Sequence, residues 1–165
     1  MGGLSVIFLM SILSFIYFLF LSIFVISTIY VIVSYIFESL AITKLSKNKF
    51  LSWIPFYNKY LLGKTCNKKL LGVFTEILSL TIFILALIIY LNKEFNTYLL
   101  IAMLILLTIL FILETIIATK IYEKTIPKYK DILTVLTILS FGLLRPIFLF
   151  LVRSNKSKES DYHEI

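Results

Sequence analysis

The chain has 165 residues, 60% of them hydrophobic and only 15% charged, with a mean hydropathy of +1.01 and a formal net charge of +7. A soluble domain of this length cannot hide so much apolar surface in one core, so composition excludes an ordinary water-soluble globule. The basic excess would point to nucleic acid in a soluble protein, but here the lysines flank apolar runs, and the simpler reading is topogenic, with no nucleic-acid partner.

Residues 4–37 pass without one charged side chain. As a single helix this run would reach about 51 Å, and with no Gly, Pro or Asn inside it one tilted helix is expected rather than two short passes. It is also too long for a signal peptide and lacks a basic leading region, so a retained span is expected. Three further apolar segments follow at residues 70–91, 98–119 and 132–152. Each would span about 32 Å as a helix, close to the roughly 30 Å hydrocarbon core of a bilayer. They are apolar on every face, which excludes the alternating pattern of barrel strands. The expected fold is all-α: an integral membrane bundle of four hydrophobic helices in one domain over residues 1–153. A polar, disordered tail is expected over 154–165.

The connector at residues 38–69 carries Lys44, Lys47, Lys49, Lys59, Lys64, Lys68 and Lys69 against Glu38 alone. The short connector at 92–96 has one Lys and one Glu, and the one at 120–131 carries Lys120, Lys124, Lys128 and Lys130 against Glu123 and Asp131. Lysine bias places the first and third connectors in the cytoplasm and the N-terminus outside. The last segment then conflicts with the rule, because a full crossing would leave Arg153, Lys156 and Lys158 outside. Arg145-Pro146 and Phe141-Gly142 also interrupt it. Two paths remain open: a full crossing, which is preferred, and a re-entrant one that turns near residues 142–146, tolerated where other helices shield the freed backbone.

Within the first connector, residues 50–64 read as a short interfacial amphipathic helix. Pro55 suits its first turn, Trp53, Tyr57 and Tyr60 gather on one side, Lys59 and Lys64 supply cations, and Gly63 ends it. These five residues are the candidate lipid contacts. The intramembrane polar candidates are Glu76, Glu114 and Arg145. Glu76 lies seven residues after Lys69 and Glu114 six before Lys120, so both fall about 9–10 Å inside the cytoplasmic boundary. Ionisable groups at such depth face protein, water or a partner. The sharp reading is a proton- or cation-coordinating pair. The plainer one, which is preferred, has one carboxylate neutral and hydrogen-bonded while the other pairs with Arg145 or snorkels. In the re-entrant path Arg145 reaches both acids; in a full crossing it lies too far away.

Catalytic signals are missing. His163 stands alone in the tail, and Cys66 is the single cysteine, its thiol expected to be activated by Lys64 and Lys68 if by anything. Residues 61–65, Leu-Leu-Gly-Lys-Thr, end like a phosphate loop, but Asn58 stands where its first glycine belongs. No enzyme activity, cofactor or metal site is expected.

The stretch Trp53-Ile54-Pro55-Phe56-Tyr57-Asn58-Lys59-Tyr60-Leu61-Leu62-Gly63-Lys64, together with Leu144-Arg145-Pro146-Ile147-Phe148-Leu149-Phe150, resembles a group of small uncharacterised bacterial multi-pass membrane proteins. The resemblance implies a four-helix protein of the cytoplasmic membrane and brings no activity with it. The abundance of Ile, Lys and Asn fits an AT-rich bacterial genome. The expected role is accessory, regulatory or immunity-type, exerted through contacts with lipid, another membrane protein or a second copy. The alternative is a small oligomeric transporter or channel using Glu76 and Glu114.

Overall fold

A computed structural model describes residues 2–45, 49–92 and 97–153. The expected tail at 154–165 lies outside the described residues, as does most of the connector at 92–96. All regular structure among the described residues is helical: α1 (Gly2–Leu45), α2 (Tyr57–Thr65), α3 (Lys69–Asn92), α4 (Thr97–Thr125), α5 (Lys130–Leu139) and α6 (Arg145–Val152). Single 3-10 turns at Leu51–Trp53 and Pro127–Tyr129 precede α2 and α5. By its internal packing the chain divides into two compact units, Met1–Ile36 and Phe37–Ile165.

In the first unit the chain is one uninterrupted helical stretch, and almost every described side chain is exposed, Phe8, Phe15, Phe20 and Phe24 among them. Three helices are long and apolar enough to cross a membrane: Val6–Leu45, Lys69–Leu91 and Thr97–Thr125. Their most apolar windows are almost wholly unburied, 0%, 11% and 6% respectively. A helix that is apolar all round and unburied needs an apolar solvent, which fits a membrane protein.

The expected fourth span is not a single helix. The structure breaks residues 132–152 into α5 of 10 residues and α6 of 8, about 15 and 12 Å long and each short of a crossing. The break is a Schellman cap: the Gly142 N–H donates to Thr137 O at 2.8 Å and the Phe141 N–H to Ile138 O at 2.9 Å. Phe141 (φ 50°) and Gly142 (φ 79°) take left-handed backbone there, and Pro146 lies in the first turn of α6. The chain then doubles back along α4. Thr134 donates to Thr119 at 3.2 Å, Gly142 faces the Phe111 ring, Arg145 reaches Glu114, and Phe148 meets the Tyr122 ring at 6.5 Å. The path descends α4 by eight residues, about 12 Å, and returns.

The expected interfacial helix also differs. Ile54 is extended (ψ 121°), as the residue before a proline prefers, and α2 starts only at Tyr57. Gly63 does not end it. The helix runs to Thr65, closed by a second Schellman cap in which the Lys68 N–H donates to Gly63 O at 2.9 Å and the Asn67 N–H to Lys64 O at 3.1 Å, with Asn67 left-handed at φ 59°. Gly63 instead permits close contact with α3, where it abuts Gly72 backbone to backbone. The Phe56 ring meets the Phe83 ring at 5.6 Å, tilted by 56°. Helix α2 buries Asn58, Leu61, Leu62 and Gly63 against its neighbours.

The core of the second unit is made from the end of α1 (Ala41, Ile42), α2 (Leu61, Leu62), the last turns of α4 (Ile117, Ala118, Ile121, Tyr122) and α6 (Leu149, Val152). Helix α1 extends past the expected limit at residue 37 to Leu45, so Glu38 and Ser39 are helical and buried rather than connector residues.

Candidate functional site

Next to this core, four charged side chains close into a ring. Helix α1 supplies Glu38, α2 supplies Lys59, α4 supplies Glu114 and α6 supplies Arg145. Lys59 Nζ lies 2.7 Å from Glu38 Oε2 and 2.8 Å from Glu114 Oε1. Arg145 Nη2 lies 2.5 Å from Glu38 Oε1, and Arg145 Nη1 bonds Glu114 Oε2. Each carboxylate oxygen thus meets one cation, and each cation bridges both acids. Two positive and two negative charges sum to zero. The side chains of Glu38, Arg145 and Glu114 are 4%, 10% and 13% exposed, so the ring is largely removed from solvent.

The backbone explains why these four meet. Glu38 stands six residues before Lys44 and Glu114 six before Lys120, so the two acids sit at matching distances from the charged ends of their helices. Lys59 and Arg145 come from the first turns of the two short helices; Pro55 stands two residues before α2, and Pro146 follows Arg145 in the first turn of α6. Burial alone would favour the neutral amine of Lys59, but the carboxylates of Glu114 and Glu38 outweigh it and hold the ammonium above the ordinary lysine range. Arg145 can present two nitrogens to two acids because its guanidinium is a planar fork.

Buried polar atoms without a partner cluster in these same elements: Arg145 Nε, both amide atoms of Asn58, and Ser39 Oγ. Beside the ring is a cavity of about 10 Å³, with Lys59, Thr75, Glu114 and Arg145 on its polar side and Ile117 and Leu149 among its apolar walls. Such a space holds about one water molecule.

Of the sequence-derived candidates, Glu114 and Arg145 are brought together, and Glu76 is not. Glu76 is half-buried on α3, where Ser79 donates to its backbone carbonyl at 2.9 Å, and no ion pair engages its carboxylate among the described residues. Among the five lipid candidates, Lys59 turns inward to the ring. Tyr57 and Tyr60 are half-buried with rings 5.3 Å apart, while Trp53 and Lys64 are exposed. Glu38 escapes the sequence reading because its charge places it in the connector; the six-residue spacing to Lys44 repeats the spacing that singles out Glu114. The Cys66 thiol is pushed up by burial, which outweighs Lys124 and Lys68, the reverse of activation. Among the described residues no group of three His, Cys, Asp or Glu gathers where a metal ion could sit. No family model, curated protein or solved structure matches the chain.

Proposed function

We propose that the chain is a non-enzymatic multi-pass protein of the bacterial cytoplasmic membrane. It acts through contacts with another membrane protein, a second copy or lipid, in an accessory, regulatory or immunity-type role. The closed ring of Glu38, Lys59, Glu114 and Arg145 carries this reading. Its charges are spent on one another, and the adjoining cavity has room for about one water, which suits a lock on the fold better than a substrate path. The transporter alternative needs Glu76 and Glu114 on a shared aqueous route, yet both Glu114 oxygens are engaged and Glu76 stands apart. Residues 53–64 and 144–150, which resemble the bacterial group, supply Lys59 and Arg145 to the ring, and membership of that group is part of the proposal. In-cell crosslinking with mass spectrometry of the purified membrane complex is expected to yield a specific partner or self-association, with no ion flux in proteoliposomes. Flux that vanishes in the Glu76→Gln/Glu114→Gln variant would reverse the choice.

The proposed topology has three crossings, α1, α3 and α4, with the N-terminus outside. Helix α2 and the α5–α6 pair enter from the cytoplasmic side and return to it. Much of the freed backbone at their turns is paired in caps, the Gly142 N–H on Thr137 O and the Lys68 N–H on Gly63 O. This path removes the charge conflict, since Arg153, Lys156 and Lys158 join the other lysine-rich connectors inside. A Ser160→Cys, Cys66→Ser variant is expected to resist an impermeant thiol reagent in intact cells and to label after permeabilisation. Labelling in intact cells would restore the full crossing.

A further inference from the structure

We propose that Lys64, Lys68 and Lys124 form a seat for the phosphate of an anionic phospholipid at the cytoplasmic end of the second unit. Lys64 closes α2, Lys68 follows its cap, and Lys124 stands in the last turn of α4. The Lys124 ammonium donates to Thr65 O at 3.3 Å, which joins the end of α4 to that of α2. The cap folds the Lys68 N–H back onto Gly63 O at 2.9 Å.

Three nearby lysines around the α4–α5 connector are differently placed. Lys120 and Lys130 are held by Glu123 at 2.7 and 3.7 Å, and Lys128 lies over the Tyr129 ring at 5.6 Å. Lys64, Lys68 and Lys124 are exposed, and no carboxylate engages them among the described residues. Three like charges around one helix end call for an anion. The adjoining surface says which kind. Leu70 and Phe74, 76% and 61% exposed, lie one turn apart on the same face of α3, starting two residues after Lys68. A cationic cap above an apolar strip matches a phospholipid, phosphate on the lysines and acyl chain along Leu70 and Phe74. A soluble phosphate would use the lysines alone. The inference rests on the proposed membrane placement, in which this end meets the anionic inner leaflet.

The full chain, reconstituted in nanodiscs of phosphatidylcholine with a minority of phosphatidylglycerol, is then re-extracted and its retained lipids are quantified by mass spectrometry. The wild type is expected to enrich phosphatidylglycerol, each lysine-to-glutamine change at 64, 68 or 124 to lower the enrichment roughly fivefold, and the triple Lys64→Gln/Lys68→Gln/Lys124→Gln to abolish it. A Lys44→Gln/Lys49→Gln/Lys128→Gln variant of identical net charge should keep it. Leu70→Gln/Phe74→Gln should lower retention as well. Equal loss in both lysine triples would overturn the site in favour of diffuse charge. Full displacement by millimolar inorganic phosphate, with Leu70→Gln/Phe74→Gln unaffected, would overturn the lipid as its occupant. Single substitutions carry the test if the triple fails to fold. Whether the chain needs detergent to stay in solution checks the membrane placement separately.

Discussion

Arg145→Ala is expected to be among the most destabilising single substitutions in the chain, costing about 3–5 kcal/mol, because it leaves two buried carboxylates sharing one lysine. The guanidinium bridges Glu38 and Glu114 from a side chain only 10% exposed, so water cannot readily replace it. Thermal unfolding in detergent, followed through the single tryptophan Trp53, provides the measurement. The sharper expectation concerns rescue. In the Arg145→Ala background, Glu38→Gln or Glu114→Gln restores the balance of charge and should recover part of the loss, about 1–2 kcal/mol. Glu76→Gln should recover nothing, since Glu76 lies outside the ring. Arg145→Lys keeps the charge but loses the fork that spans two acids, and should fall between wild type and Arg145→Ala. Equal rescue by Glu76→Gln would mean a general effect of net charge and would remove the ring as the cause.

The way this ring was partly legible in the sequence follows from helical rise. Glu114 lies inside an apolar run at a countable distance from Lys120, so depth could be read directly. Arg145 beside Pro146 marked a broken segment and made its meeting with Glu114 conditional on a re-entrant path; the structure has that meeting, with α6 returning along α4. Glu38 obeyed the same arithmetic against Lys44 but was hidden, because the end of α1 was placed at the first charge rather than at Leu45. Where a charge is fully paired within protein, the first charge no longer marks the edge of a helix. Lys59 was harder still. Its neighbours Trp53, Tyr57 and Tyr60 look like an interfacial face, and only the tertiary approach of α2 to α3 and α4 turns its ammonium inward. Local pattern could not show that approach, since it depends on two glycines nine positions apart in separate helices.

Those glycines give the second large effect. A Cβ added at Gly63 would stand 2.4 Å from Gly72 Cα and 2.5 Å from Gly72 N, and one at Gly72 would stand 2.7 Å from Tyr60 O. These are backbone atoms of packed helices, so no side-chain rotation relieves the clash, and α2 must move away from α3. Lys59 lies one turn before Gly63 on the same face of α2. Its two ion-pair contacts, at 2.7 and 2.8 Å, lengthen beyond hydrogen-bond distance when α2 is displaced by about 1 Å. Gly63→Ala should therefore cost more than the 1–3 kcal/mol typical of overpacking, because the ring loosens as well. The two contributions separate in a double-mutant cycle. Lys59→Met should be clearly less damaging in the Gly63→Ala background than in the wild type, since the ammonium is already less tightly held by its acids. Strict additivity would show that α2 holds Lys59 in place despite the added methyl, and would uncouple the glycine contact from the ring.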